Sequence, residues 1–242
     1  MKLAVLTDIH ANRPALAAVL ADATARGAKA FAILGDIVGY GPEPGACIDR
    51  IRALNPTICV KGNHDHAIAQ PSEPMSPHAA TAIQWTRAQL TPDQAAYLAQ
   101  LPLTQHLDQT LFTHASPRNP ADWTYITTNT RAAPAFQATD ARLTLCGHVH
   151  KPALYSIDHQ GIVRECPLTL NQPMPLLPSR RWLAVVGSTG QPRDGSPHAA
   201  WAMLEPHQIT FRRTPYDVQA TVDKIRAAGL PEALAQRLLN GN

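Results

Sequence analysis

The sequence predicts an α/β fold in which two β-sheets pack together and helices flank them. The first observation is a strand–helix–strand start, in which apolar runs at 3–7 and 30–34 enclose apolar positions at helical spacing. This order favours parallel strands joined by a right-handed crossover. The second observation is a change, after residue 103, to many short strand-like runs. Because no repeat or long linker divides the chain, we expect a single domain over residues 1–242.

The first half of the chain alternates strands with helices. A helix is predicted to begin after Asn12, whose side chain can cap it, and to stop at Gly27. Further helices are predicted over 44–54, over 78–90 and from Thr91, where a capping-box spacing coincides with a proline at the first helical position. A short buried strand over 57–60 precedes the polar cluster Gly62-Asn63-His64-Asp65. Residues 71–77 are punctuated by proline and are predicted to form a loop.

The second half is predicted to be rich in strands. These are expected at 111–113, 143–146, 153–157, 162–166, 182–186, 199–204 and 208–214. The segment 167–179 holds four prolines, which favour an extended loop or a sheet edge. From Asp217 onward the apolar spacing predicts a helical tail.

Composition and charge exclude several classes of protein. The chain has 242 residues and a formal charge of +3, with no run of Lys or Arg, so a nucleic-acid-binding face is not indicated. No apolar stretch reaches transmembrane length, and the N-terminus does not resemble a signal peptide. The four cysteines lie far apart, as expected for free thiols in a reducing compartment. We therefore expect a cytoplasmic protein, with a homo-oligomer as one compatible state.

Residues able to bind metal follow five of the strand-like runs. They are Asp8, His10, Asp36, Asn63, His64, His114, His148 and His150. The carboxyl ends of strands in open α/β sheets are where sites assemble. The i, i+2 spacing of Asp8 with His10, and of His148 with His150, sends both members of each pair to the same side of an extended segment. This set exceeds what one tetrahedral metal can use and suits a two-metal site that shares a carboxylate.

The ligand types also restrict the metal. Carboxylate, amide and imidazole donors without a thiolate suit Mn²⁺, Fe²⁺, Co²⁺, Ni²⁺ or Zn²⁺. We expect two divalent ions, with Mn²⁺ as the first candidate.

Five blocks in this order resemble the calcineurin-like metallophosphoesterase superfamily, and in particular its small prokaryotic phosphodiesterase-type members. The blocks are Asp8-Ile9-His10, Gly35-Asp36, Gly62-Asn63-His64-Asp65, His114 and Gly147-His148-Val149-His150. The segment Gly187–Gly195 extends the likeness. The resemblance implies a four-layer α-β-β-α sandwich with two mixed sheets flanked by helices.

The resemblance also implies a role for each residue. One metal would be held by Asp8, His10, Asp36 and His150, and the other by Asp36, Asn63, His114 and His148. A hydroxide bridging the metals would attack phosphorus. His64 would stay off the metals and protonate the leaving oxygen as general acid, while Asp65 would orient His64.

Other positions remain open at this stage. Alanine stands at positions 11 and 115, where family members often carry glycine, and would be strained if either position needs a positive φ. Arg118 and Arg193 could each clamp a phosphate, or form a structural salt bridge, which for Arg193 the adjacent Asp194 favours. Tyr40 could stack on a nucleobase or serve packing. The turn 187–190 could offer N–H groups to a ligand or simply be a tight turn.

Three functions follow from these observations. The first is a two-metal hydrolase of phosphoester bonds, a phosphodiesterase or phosphatase acting on a small phosphorylated molecule or nucleotide. The second has the same site chemistry and hydrolyses the phosphoanhydride of a dinucleoside polyphosphate. The third is a metal-stabilised scaffold that binds protein partners without catalysis, a role that the presence of both His64 and Asp65 disfavours.

Overall fold

The computed structural model describes residues 2–242 and contains two mixed β-sheets flanked by helices, which confirms the expected fold class. The first sheet has six strands in the order β3-β2-β1-β11-β12-β9. Their bounds are β1 Leu3–Leu6, β2 Ala30–Ile33, β3 Ile58–Cys59, β9 Met174–Pro175, β11 Ala199–Glu205 and β12 Gln208–Thr214. The β1, β2 and β3 strands are parallel, and β11 joins β1 in the antiparallel direction.

The second sheet also has six strands, in the order β4-β5-β6-β10-β7-β8. Their bounds are β4 Thr104–Leu107, β5 Thr110–Thr113, β6 Leu143–Cys146, β7 Ala153–Ile157, β8 Val163–Cys166 and β10 Arg181–Val185. Here β5, β6 and β10 run parallel to one another. The parallel strands thus form one half of the first sheet, from the edge strand β3 to β1, and the middle of the second sheet. Their carboxyl ends supply the loops described below.

Helices cover the outer faces of the sheets. Their bounds are α1 Arg13–Ala25, α2 Pro44–Leu54, α3 Asn63–Ala69, α4 Pro77–Gln89, α5 Pro92–Gln100, α6 Asn129–Gln137, α7 Val218–Ala227 and α8 Glu232–Asn240. The Asn12 side chain caps α1 by accepting from the Ala15 N–H, as predicted. The predicted capping box at Thr91 is also formed, with Gln94 as its partner.

Three apolar clusters separate the layers. The outer face of the first sheet packs on α1 and α2 through residues such as Leu6, Val19 and Ile48. Val5 from the first sheet and Phe112 from the second belong to the cluster between the sheets. The outer face of the second sheet packs on α6. The burial of these faces holds the strand ends in place.

Several elements had not been predicted individually, among them β4 and α6. Strand β4 pairs with β5 although its four residues are only partly buried or exposed, so its sequence lacks a clear apolar alternation. Helix α6 contains Pro134 after a polar first turn, a combination that argues against a helix when only local propensity is considered. Its buried face, Ala132, Ala135 and Phe136, shows that packing on the sheet decides its structure.

No helix within residues 2–242 combines the length and apolar character needed to cross a membrane.

Candidate metal centre

The loops that follow five parallel strands bring the predicted ligands together. Asp8 and His10 follow β1, Asp36 follows β2, Asn63 begins α3 after β3, His114 follows β5, and His148 and His150 follow β6. All of them are buried except Asn63, which is partly exposed. The site thus joins the carboxyl ends of strands from both sheets.

Backbone hydrogen bonds hold the first two loops side by side. The Asp8 N–H donates to Gly35 O (3.0 Å), and the His10 N–H donates to Asp36 O (2.9 Å). Asp8, His10 and Asp36 have φ near +50°, a conformation that costs non-glycine residues free energy and clusters at functional sites. Ala11 shares it (φ +51°), so alanine does occupy a left-handed position there, whereas Ala115 has no positive φ.

The first group of donor atoms comprises Asp8, His10 and His150. Asp8 Oδ1 lies 3.1 Å from His150 Nε2 and 3.7 Å from His10 Nε2. The two Nε2 atoms are 3.1 Å apart. Three donor atoms therefore surround one point, as a metal ion requires.

The second group is centred on His114. Its Nε2 atom lies 3.2 Å from Asn63 Oδ1, 3.2 Å from His148 Nδ1 and 3.4 Å from Asp36 Oδ2. Asp36 Oδ2 is also 3.6 Å from His10 Nε2, so the same carboxylate oxygen faces both groups. Asp36 is therefore placed as a shared ligand would be.

Hydrogen bonds to backbone carbonyls set the tautomers of three histidines. The Nδ1 atoms of His10, His114 and His150 lie 3.2, 2.7 and 2.6 Å from the carbonyl oxygens of Val38, Leu34 and Gln191, respectively. A proton on each Nδ1 leaves the Nε2 lone pair directed into the centre. His148 differs, because its Nδ1 faces the second group while its buried Nε2 has no hydrogen-bond partner among residues 2–242.

The donor set fits metal ions. Asp8 Oδ1 is buried and accepts no hydrogen bond from the described residues, and a bare buried carboxylate oxygen is costly. The Nε2 lone pairs of His10 and His150 point at each other, an arrangement that a cation between them would stabilise. Oxygen and imidazole donors match the divalent ions Mn²⁺ through Zn²⁺.

Burial and neighbouring charges shift the pKa values of the centre. Burial alone would raise the pKa of Asp8 and Asp36, but the surrounding imidazoles lower the pKa of both carboxyls below the ordinary value. Burial lowers the pKa of His148 to about 3 and that of His150 to about 4. For His114, burial opposes the charged form, but the charges of Asp36 and Asp8 together with hydrogen bonds to Asp36 and the Leu34 carbonyl outweigh it and raise the pKa to about 9. At pH 7, His114 must therefore lose a proton before it can bind a metal.

His64 lies against the first group. Its ring makes an edge contact with the His10 ring (4.8 Å between centroids) and lies 4.4 Å from the Tyr40 ring. One ring nitrogen of His64 lies within 4.8 Å of ligand atoms of His10 and Asp36, so distance alone does not separate it from the metal ligands. Burial lowers the pKa of His64 to about 3.

Asp65 has a different contact from the one expected. Its Oδ1 accepts the N–H groups of Ile37 (2.9 Å) and Val38 (3.2 Å), and its Oδ2 accepts the Gly62 N–H (3.0 Å). His64 Nδ1 has no hydrogen-bond partner within residues 2–242, so Asp65 does not orient His64 by a direct bond. The carboxylate instead ties the loop that carries Asp36 to the start of α3.

The three candidate substrate contacts differ in position. Tyr40 is buried between the rings of His10 and His64. The Arg193 guanidinium lies 5.7 Å from the Tyr40 ring centroid and donates to Gln191 Oε1 (3.0 Å). The salt bridge that Asp194 favoured is not formed with Arg193, because Asp194 pairs with Arg213.

Arg118 and the turn 187–190 contribute less to the centre. Arg118 is exposed, and its side chain makes no hydrogen bond or salt bridge within the described chain. The N–H groups of Thr189 and Gly190 donate to Thr7 O and Asp8 O, both at 2.9 Å. These two N–H groups therefore support the β1 loop and are not free for a ligand, as expected for a structural turn.

Sequence reasoning missed Tyr125. Its ring stacks on His148 with 4.0 Å between centroids and an interplanar angle of 21°, and the residue is half-exposed. The nearby Trp123 ring lies 5.9 Å from His114. Neither residue follows a strand directly or belongs to a motif, so the strand-end pattern that found the ligands could not find them.

Comparisons with known proteins agree with this geometry. The family model of the calcineurin-like phosphoesterase superfamily domain matches residues 1–208. The uncharacterized protein MJ0912 of Methanocaldococcus jannaschii is 34% identical over 247 residues, covering 99% of this chain and 98% of that protein. A crystal structure of a metallophosphoesterase from Sphaerobacter thermophilus is 36% identical with a TM-score of 0.87, covering 100% of this chain and 99% of the other.

A more distant structure has the same fold. It is the hypothetical protein PH1004 of Pyrococcus horikoshii OT3, with 22% identity, a TM-score of 0.79 and coverage of 100% of this chain and 98% of the other. The family model covers most of the chain, and the two mixed sheets and the donor groups at the strand ends agree with it. This chain belongs to the calcineurin-like phosphoesterase superfamily.

Proposed function

We propose that the protein hydrolyses a phosphoester bond in a small phosphorylated molecule or nucleotide, with two divalent metal ions bound. The observation that carries this proposal is the position of Asp36 Oδ2, which lies 3.6 Å from His10 Nε2 and 3.4 Å from His114 Nε2. A carboxylate oxygen between two groups of donor atoms is the arrangement that two-metal hydrolases use.

The ligands divide between two ions. Asp8, His10 and His150 hold one ion, Asn63, His114 and His148 hold the other, and Asp36 is shared. Such ions activate water and neutralise phosphoryl charge. Mn²⁺ is the first candidate for both ions. The fixed Nδ1–H tautomers keep the imidazoles aligned without rearrangement when an ion binds.

His64 acts as the general acid in this proposal. Its ring lies beside the first group, and its Nδ1 has no hydrogen-bond partner in the described chain. With a pKa of about 3, the free imidazole is neutral at pH 7. A bound phosphoryl group brings negative charge beside the ring and favours its protonated form, which can then donate to the leaving oxygen.

Asp65 acts as a positioning residue. Its carboxylate accepts hydrogen bonds from backbone N–H groups of the Asp36 loop and of Gly62. The backbone N–H of His64 donates to Asp36 Oδ1 (2.8 Å). These bonds fix the shared ligand and the general acid relative to each other. Asp65 therefore acts on catalysis through the backbone.

In this proposal Arg193 contacts the substrate, and the Tyr40 ring lies 5.7 Å from its guanidinium. The Arg193 guanidinium has no carboxylate partner within 4.0 Å among the described residues, and its backbone N–H donates to His150 O (3.2 Å). An unpaired guanidinium at the edge of a phosphate site binds a phosphate oxygen well. The exposed Arg118 is proposed as a weaker, more distant contact.

The test is hydrolysis of p-nitrophenyl phosphate and bis-p-nitrophenyl phosphate by protein loaded with Mn²⁺. We expect turnover of at least one substrate by the wild type. In Asp36→Asn we expect activity to fall by about 10²–10³-fold, which is typical for the loss of one electrostatic contact to the transition state. Asp158→Asn, in an exposed hairpin turn, is the matched control and should retain activity. Absence of turnover of both substrates by metal-replete protein would contradict the proposal.

A further inference from the structure

Tyr125 is an exposed aromatic side chain at the mouth of the metal centre. Five large apolar side chains of the described residues are exposed, namely Tyr125, Ile162, Leu170, Leu177 and Leu239. Tyr125 is the aromatic one among them, and it is 50% exposed. The ring packs one face on the His148 imidazole, at 4.0 Å and 21°, so the opposite face is open.

The loop that carries Tyr125 is anchored on both sides. Trp123 is 8% exposed and lies beside the His114 ring, while Ile126 is buried against the outer face of the second sheet. The Ser116 N–H donates to Thr124 O (3.2 Å) and closes the loop at the point where it leaves β5. The exposure of Tyr125 therefore comes from its orientation and not from a loose segment.

We propose that Tyr125 determines substrate specificity by stacking on the base of a nucleoside phosphoester. The proposal rests on the proposed phosphoesterase function and names the class of substrate for that site. An open tyrosine face next to the metal ligands is a stacking platform for any planar base, because every base has a π-face.

The distances favour a ring separated from phosphorus by a spacer. The Tyr125 ring already occupies the layer above His148, at 4.0 Å. A substrate ring stacked on its outer face lies a further ~4.5 Å or more from the Tyr125 centroid. A pentose between base and phosphate spans the distance from the outer face of Tyr125 to the metal centre. A ring esterified directly to the phosphate would lie beside the metal ligands and would not reach that face.

The charge at the mouth suits the same substrate. Burial raises the pKa of the Tyr125 phenol, and the positive charge of the nearby Arg193 guanidinium opposes this rise. Base stacking at Tyr125 and a phosphate contact at Arg193 would hold the two ends of a nucleotide. A simple alkyl phosphoester could use only the second contact.

The experiment compares two diesters with the same leaving group. They are the thymidine 5′-(p-nitrophenyl) and the methyl p-nitrophenyl phosphate diesters, assayed with wild type, Tyr125→Leu, Tyr125→Phe and the control Ile162→Ala. We expect the kcat/KM ratio of thymidine over methyl ester to fall about tenfold in Tyr125→Leu, through KM. It should be kept in Tyr125→Phe and Ile162→Ala.

A merely structural role for Tyr125 gives a different result. If the ring only supported His148, Tyr125→Leu would lower kcat/KM for both esters by the same factor and leave their ratio unchanged, which overturns the proposal. Isothermal titration of 5′-deoxythymidine-5′-phosphonate and methylphosphonate, neither of which has an ester bond, gives an independent readout. Failure of every protein to turn over either ester would count against the proposed function, while an equal Kd ratio in wild type and Tyr125→Leu would overturn the stacking.

Discussion

Gly39 lies so close to His64 that a Cβ on this glycine would stand 2.1 Å from His64 Nδ1. The imidazole therefore occupies space that is available only because position 39 has no side chain. The loop between Asp36 and Tyr40 thus shapes the cavity that holds the proposed general acid.

We predict that Gly39→Ala displaces His64 and lowers kcat by about 10²-fold or more, which is the lower range for losing a general acid. Gly161→Ala is the matched control, because Gly161 also has a positive φ (+79° against +88°) but its Cβ would meet nothing within 4 Å. Both variants carry the same kind of backbone strain, so their difference measures the contact with His64. Equal activities of the two folded variants would contradict the prediction.

The leaving group separates proton donation from other roles of His64. We predict that His64→Gln costs on the order of 10²–10⁴ in rate on an ester with an alkyl leaving group. The cost should be smaller with p-nitrophenol, which leaves with little need for a proton. Steady-state kinetics on the two substrates provide the measurement, and equal losses on both would argue against a general acid.

Metal binding should release a proton from His114. The pKa of this imidazole is about 9, because the nearby carboxylates and its hydrogen bonds together outweigh burial. It is therefore protonated at pH 7.5 and must become neutral to bind a metal. The apparent affinity for Mn²⁺ should therefore rise with pH, by up to about tenfold per unit, and level off near pH 9. His148 and His150, with lowered pKa values, add no proton in this window.

Isothermal titration with Mn²⁺ at pH 7.5 in two buffers of different ionisation enthalpy measures this proton. We expect about one proton released per protein. An affinity that stays flat between pH 7 and 9 would show that His114 is already neutral.

Asp65→Asn should impair the site without touching a ligand. An amide NH₂ in place of one carboxylate oxygen would face either the Gly62 N–H or those of Ile37 and Val38, leaving a donor opposed to a donor. A buried unsatisfied donor costs ~1–3 kcal/mol, so we expect lower thermal stability together with weaker metal binding. Thermal unfolding and Mn²⁺ titration give the two readouts; an unchanged metal affinity would mean that Asp65 does not position Asp36.

The sequence allowed prediction of the cluster of candidate ligands but not of every contact around it. Asp8, Asp36 and His114 directly follow apolar runs, so strand ends alone located them. Two of the three partners of Asp65 are backbone N–H groups 27 and 28 residues away, which no side-chain pattern reveals. Tyr125 and α6 depend on tertiary packing between β5 and β6, where local propensity carries little information.

Divalent metal should stabilise the folded protein strongly. An ion at 1,000 times its Kd adds about 4 kcal/mol if it binds only the folded state. For a chain of this size, 1 kcal/mol corresponds to roughly 2–4 °C, so EDTA treatment should lower Tm by on the order of 8–16 °C. The EDTA-dependent change in Tm should largely disappear in Asp8→Asn, because Oδ1 of Asp8 is the buried carboxylate oxygen of the first donor group.

Asp158→Asn, remote from the centre, should show the wild-type shift. Differential scanning calorimetry of the three proteins with and without Mn²⁺ gives the comparison. A wild-type Tm that does not respond to EDTA, in protein shown to contain metal beforehand, would mean that the ligand groups do not couple ion binding to folding.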